Sequence, residues 1–165
     1  VTCYSSMNGL VKYSKDEMNF DYRTSRCHNE DLIVLQAEFE LSKKDTTEIE
    51  AQMNSNLEFR KAHQPSLALP NCGSIFKNPQ NNSAGRLLDS IGAKELSCGG
   101  VKVWENHANF IVNNNSGTST DVLTLMSEMQ TKVKNKYKID LQPEIIFLGG
   151  NNNKENELCK ILYKK

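Results

Sequence analysis

The strongest periodicity in the chain lies between Thr120 and Tyr137. There Val122, Leu125, Met126, Met129 and Val133 recur at helical spacing, giving one apolar face to a helix that Thr118 or Ser119 can cap. The methionines on that face read as core filling. A thinner stripe, Ile49, Met53 and Leu57, predicts a helix that starts at Asp45 or Thr46, continues through Arg60 and is stopped by Pro65. A short helix over 84–91 turns Leu87, Leu88 and Ile91 inward, with Ser83 as its N-cap and Gly92 where a left-handed C-terminal cap belongs. Asn8-Gly9, between Thr2–Ser5 and the run Leu10, Val11, Tyr13, predicts a hairpin, and Ser14-x-x-Glu17 has capping-box spacing. Strands are expected at 31–41, 99–103, 108–112 and 139–148, the last closing at Gly149-Gly150.

Composition narrows the classes of function. The chain has 165 residues, enough for one domain with a core plus part of another, and its formal net charge is zero. Its lysines are dispersed rather than striped, which argues against nucleic acid as a partner. Cys3, Cys27, Cys72, Cys98 and Cys159 are odd in number and form neither a C-x-x-C pair nor a zinc-spaced cluster, so a reducing compartment without a structural metal is expected. No apolar run approaches the length that spans a bilayer, and an intracellular, cytoplasmic location is the expectation. The tracts Asn113-Asn-Asn115 and Asn151-Asn-Asn153 read as loop composition, and 151–165 as a polar, loosely held tail.

Three stretches carry candidate chemistry. Asn71-Cys-Gly-Ser-Ile-Phe-Lys-Asn-Pro79 sets a hydroxyl, a cation and an amide (Ser74, Lys77, Asn78) around two apolar anchors, Ile75 and Phe76. Gly73 allows close backbone approach or a positive φ, although the same residues also suit a strand ending in an Asn-Pro turn. Phe20-Asp-Tyr-Arg-Thr-Ser-Arg26 has two arginines, aromatic residues and no regular period. It is either a solvated surface loop or one that faces an anion, since guanidinium is a planar bidentate donor. Glu144, among Pro143, Ile145, Ile146 and Phe147, stands at an edge or faces a cleft, and buried it would need a partner. His107 at a strand start is either a hydrogen-bonded structural group or a ligand. The N-terminus of the 84–91 helix would favour a phosphate or carboxylate.

Taken together, these motifs resemble the UDP-N-acetylenolpyruvoylglucosamine reductase family, also called UDP-N-acetylmuramate dehydrogenase. The resemblance rests on Tyr22-Arg23-x-Ser25, on Gly73 through Pro79 and on Ser83-Ala-Gly-Arg-Leu87. It continues through His107-Ala-Asn-Phe-Ile-Val-Asn113 and Leu141-Gln-Pro-Glu-Ile145, closing with Leu148-Gly149. The motifs follow the family's order, and the short interval between the 31–41 strand and Ser74 is similar to its more compact subtype.

The resemblance implies FAD and NADPH as cofactors, a UDP-sugar as substrate, and reduction of its enolpyruvyl group in peptidoglycan precursor synthesis. By the same match Ser74 is the proton donor, and Arg23 and Glu144 stabilise the enolate-like charge. Lys77, Asn78, Ser83, Gly85, Arg86 and His107 become candidates for the UDP-sugar. Tyr22, Arg60 and Gln64 become candidates for the cofactor, with Arg60 and Gln64 also within the scope of the sugar nucleotide. The family's glycine-rich flavin loops have no counterpart before Arg23, so the N-terminal FAD-binding segment is expected as a missing partner. Trp104 and Ile146 depart from the family's usual residues. The expected architecture is α+β: a small mixed sheet packed by helices over 45–150, preceded by a remnant of an FAD-binding domain over 1–44. The alternative expectation is a non-catalytic UDP-sugar binding module or a decayed homologue.

Overall fold

The computed structural model describes residues 1–114, 116–149 and 152–163. Asn115, Gly150, Asn151, Lys164 and Lys165, which belong to the asparagine tracts, the Gly149-Gly150 closure and the polar tail of the sequence reading, lie outside the described residues. The chain forms two compact units, Val1–Ile49 and Glu50–Lys165. The architecture is α+β, and every pairing in its two sheets is antiparallel.

In the first unit, β1 (Thr2–Ser5) is the centre of a three-stranded sheet between β2 (Gly9–Lys12) and β3 (Leu32–Gln36). Asn8-Gly9 makes the hairpin as expected, pairing Ser5 with Gly9 and Thr2 with Lys12. Alternation buries Cys3 and Ser5 on one face of β1, with Met18 beside them in the buried set. The Ser14–Glu17 capping box is present, its carboxylate accepting from the Ser14 N–H at 2.8 Å, but it closes a turn rather than a helix. β3 is shorter than the 31–41 pattern suggests. Beyond Gln36 the chain leaves the ladder, and Phe39 and Leu41 are exposed.

Helix α1 (Thr46–His63) follows Asp45, whose carboxylate accepts from the Thr47 N–H at 2.9 Å. None of its residues is buried, and Ile49, Met53, Leu57 and Phe59 are all exposed. The second unit carries the main core. Its sheet runs in the order β4 (Asn71–Ser74), β7 (Phe110–Asn113), β6 (Val101–Val103) and β5 (Ser97–Cys98). Helix α2 (Ala84–Asp89) follows β4, with Leu87 and Leu88 buried. It stops two residues short of the predicted end, and Gly92, at φ 71°, leads into a 3-10 turn over Ala93–Glu95.

Helix α3 (Ser119–Tyr137) packs against β5 and β6 with Leu123, Leu125, Met126, Met129 and Val133 buried; Val122 is only partly so. Thr118 caps it, accepting from the Asp121 N–H, and Asp121 returns a carboxylate to the Thr118 N–H at 2.9 Å. Two corrections follow in the C-terminal part. Residues 139–148 form no strand. A single bridge pairs Phe76 with Pro143, and Leu141 is buried beneath the buried Gln130, whose amide donates to its carbonyl at 2.7 Å. The tail is not loosely held either: it forms α4 (Asn153–Leu162), capped by Asn152 and packed on α3. Its buried Glu155 carboxylate accepts from the hydroxyls of Ser119 and Thr120 at the start of α3.

The two apolar stripes therefore differ in consequence. Met126→Ala is expected to cost about 2–5 kcal/mol of unfolding free energy. Met53→Ala, 57% exposed, should change it by no more than about 0.5 kcal/mol. Urea unfolding of both variants checks this, and equal losses would contradict the assigned core.

Candidate functional site

The 71–79 stretch begins as β4 and then leaves regular pairing. Asn71 accepts from the Gly73 N–H at 3.1 Å, and Gly73 takes φ 80°, a conformation that β-carbon-bearing residues rarely adopt. After Ser74 the ladder to β7 is continued by a side chain. The buried Asn109 accepts from the Phe76 N–H through Oδ1 at 3.0 Å and donates from Nδ2 to the Phe76 carbonyl at 2.9 Å. Its own carbonyl accepts from the Ile75 N–H at 2.9 Å. On the opposite edge Lys77 N–H donates to Gln142 and Glu144 N–H donates to Ile75, each at 2.8 Å. Ile75 and Phe76 are buried as anchors, while Ser74, Lys77 and Glu144 stay half-buried, so backbone pairing brings all three into one short stretch of structure.

Asn78 and Ser83 have structural duties as well. Asn78 Oδ1 accepts from the Ala84 N–H at 3.0 Å, and Ser83 Oγ from the Arg86 N–H at 3.4 Å. Two of the N–H groups at the start of α2 are thus satisfied within the protein, and α2 has only six residues, so the anion site expected at that helix end is not open in the form anticipated.

The cavity lies further along. Ser83, Gly85, Arg86 and His107 surround about 280 Å³, joined by Asp89, Lys94, Asn106 and Ala108. Two cations and one carboxylate line it. Lys94 is bound to Asp89 at 2.8 Å, and the Arg86 guanidinium donates to Asn82 Oδ1 at 2.8 Å. His107 packs edge-on against Phe110, and its Nδ1 accepts from the Asn109 N–H at 3.1 Å, leaving Nε2 as the donor of the neutral ring. Burial pushes this imidazole below its usual range against a favourable backbone hydrogen bond, and the nearby Lys94 ammonium pushes the same way. A Cβ at Gly85 would lie 3.0 Å from His107 Cε1, so glycine lets the helix approach the ring.

Arg60 and Gln64 line a different and larger cavity of about 620 Å³ with Trp104. Tyr22 and Arg23 belong to the first unit, in a tight turn where Asp21 and Thr24 exchange backbone hydrogen bonds. Arg23 there adopts φ 55°, unusual for a side-chain-bearing residue, with its guanidinium 5.7 Å from the Tyr22 ring centre. Sequence reasoning missed Asn109 as the clamp on Phe76; the available signal was a carboxamide between two apolar residues, Ala108 and Phe110, in a predicted strand. Lys94 and Asn106 gave no such signal, because turns rather than periodicity bring them to the cavity, and Asp89 joins them from the end of α2. Among the described residues no group of three metal-ligating side chains occurs, and no helix is long and apolar enough to cross a membrane.

The family profile described as UDP-N-acetylenolpyruvoylglucosamine reductase, C-terminal domain, matches residues 64–148. A reductase of that name from Bacillus licheniformis is 45% identical over 137 residues, covering 82% of this chain and 74% of the relative. Its namesake in Enterococcus faecalis is 40% identical over 136 residues, and that in Staphylococcus aureus MRSA252 is 39% identical over 147 residues. This chain spans 45% and 48% of those two proteins. The crystal structure of UDP-N-acetylenolpyruvylglucosamine reductase from Thermus caldophilus superimposes with a TM-score of 0.75 at 30% identity, covering 88% of this chain and 50% of that one. The chain belongs to the UDP-N-acetylenolpyruvoylglucosamine reductase family, whose C-terminal domain it contains.

Proposed function

We propose that the complete protein is the NADPH- and FAD-dependent reductase that converts UDP-N-acetylglucosamine enolpyruvate into UDP-N-acetylmuramate for peptidoglycan precursors in the cytoplasm. In this reading residues 45–150 bind the UDP-sugar, 1–44 are the end of the flavin-binding domain, and a further N-terminal segment completes it. One observation carries the reading. Ser83, Gly85, Arg86 and His107 are assigned to the sugar nucleotide on sequence grounds, and they line one cavity with two cations, inside the region matched by the family profile. Guanidinium and ammonium suit a diphosphate, and a neutral imidazole offers an N–H to a sugar or base oxygen.

The residues present do not by themselves fit a flavin dinucleotide. Its pyrophosphate needs a cradle of backbone N–H groups, commonly glycine-rich, and the one glycine of the first unit, Gly9, turns the β1–β2 hairpin. Flavin would supply the hydride in the complete protein. The work of this chain is binding, charge stabilisation and proton delivery. Lys77 and Asn78 face the UDP-sugar beside Ser74, with Tyr22, Arg60 and Gln64 toward the cofactor. Ser74 gives a proton to the enolpyruvyl carbon, while Arg23 and Glu144 stabilise the charge that develops on the carboxylate side. A serine is a weak acid, so this role depends on close positioning, and the backbone bonds that fix 74–77 supply rigidity. A second reading is a UDP-sugar binding module without catalysis, which the same cavity would also serve.

Calorimetric titration of the 165-residue chain with UDP tests the binding half of the proposal. Saturable uptake, weakened about tenfold by Arg86→Ala, is expected. No uptake by a cooperatively folded chain would refute it. The catalytic half is tested in a chain joined to the N-terminal segment of a relative. There Ser74→Ala should lower turnover by about 10²–10⁴ while changing the KM for UDP-sugar by no more than about twofold. Unchanged turnover would refute Ser74 as the proton donor, and no turnover by the joined chain without the substitution would leave only the binding module.

A further inference from the structure

Helix α4 begins beyond residue 148, where the family profile ends, yet its last turn reaches the segment that carries Glu144. Tyr163, the C-cap of α4, donates its hydroxyl to the Ile145 carbonyl at 3.0 Å. The tyrosine is itself held in place. Its N–H donates to Cys159 at 2.9 Å, and its ring is partly buried against the core that also receives Ile145, Phe147 and Leu158. Burial pushes the phenol above its usual range, with the Cys159 and Cys72 thiols acting the same way, so it stays protonated and a donor into alkaline solution.

A second bridge closes nearby. The buried Gln130 of α3 donates through Nε2 to the Leu141 carbonyl at 2.7 Å and to the Leu162 carbonyl at 3.3 Å, so one carboxamide ties the end of α4 to the 141–145 run. The far end of α4 is anchored separately, by the Glu155 carboxylate on the hydroxyls of Ser119 and Thr120. Within 141–145, the carbonyls of Leu141 and Ile145 are committed to α3 and α4, while the Gln142 carbonyl and the Glu144 N–H are committed to Lys77 and Ile75. The backbone beside Ser74 is therefore supported by a run that α4 supports in turn.

We propose that Tyr163 is a positioning residue, whose hydroxyl acts through the Ile145 carbonyl to hold Glu144 and the paired 74–77 stretch in the geometry that proton delivery requires. A displacement of about 1 Å can cost about 10²-fold in rate, and hydrogen bonds behind the reacting groups are what prevent it. The proposal rests on the roles given to Ser74 and Glu144 in the reductase reading. Its structural half, the hold on 142–145, is measurable without turnover.

Tyr163→Phe removes only the hydroxyl and keeps the ring in the core, and Ser119→Ala loosens the far end of α4 as a control. In the 165-residue chain, amide hydrogen exchange at Glu144 and Lys77 should accelerate about tenfold in Tyr163→Phe and stay unchanged in Ser119→Ala. Exchange at Met126 and Met129 in α3 should be the same in both. In the chain joined to the N-terminal segment of a relative, Tyr163→Phe should lower kcat about tenfold with the KM for UDP-sugar within about twofold, and Ser119→Ala should leave both unchanged. Unchanged exchange at Glu144 and Lys77 in Tyr163→Phe would overturn the proposal. Equal acceleration in Ser119→Ala would overturn it too, since docking of α4 as a whole would then account for the effect. Faster exchange with unchanged kcat would also overturn it and leave the reductase reading standing. Faster exchange in Tyr163→Phe alone, with no turnover by the unsubstituted joined chain, would support the hold on 142–145 and refute the reductase reading.

Discussion

The carboxamide of Asn109 holds the geometry on which the rest of the second unit depends. Where the β4–β7 ladder breaks, it takes the place of a neighbouring strand, giving and receiving the two hydrogen bonds that Phe76 would otherwise leave unmade in the core. The 142–144 segment satisfies the opposite edge. Residues 74–77 are thus fixed through the backbone from both sides, and the Ser74 hydroxyl and Lys77 ammonium take no part in that fixing. A buried amide whose partner is removed costs about 1–3 kcal/mol, so the arrangement is strongly biased toward a single conformation.

Much of the fold was legible because local signals agreed with one another. The α3 stripe, its Thr118–Asp121 box and its length all indicated the same helix. So did Ser83 before α2 and Asn8-Gly9 between β1 and β2. What failed was the inference from apolar runs to strands. In 139–148, Leu141 is buried, and Ile145 and Phe147 are partly buried, against a core bounded by α3, not in a ladder; burial alone selects such residues without requiring a sheet. In 31–41 the alternation outlasts the available partner, since β1 ends its pairing with β3 at Gln36. The tail misled in the other direction, because α4 fully buries only Glu155 and Leu162 and so keeps a polar composition.

The sequence named candidate residues, but the cavities they line are defined by the fold. The family resemblance named Ser83, Gly85, Arg86 and His107 as sugar-nucleotide candidates from two separate motifs, and these four residues line one cavity. Nothing in the sequence indicated that Arg60 and Gln64 would line another, or that Asn78 would cap α2. Lys94 reaches the cavity through the 3-10 turn that follows Gly92, where it meets Asp89 from the last position of α2. Short polar turns carry little periodic signal, and the chemistry of this surface is carried mostly by them.

The close approach of Gly85 to His107 ties two positions far apart in sequence. Alanine at 85 would gain helix propensity of about 1 kcal/mol. Its methyl group would also press on a ring already held by Phe110 and by the Asn109 N–H. Each residue is thus part of the other's selective environment. A side chain at 85 therefore requires the ring at 107 to give way by a few tenths of an ångström, so what is tolerated at one position depends on how firmly the other is held.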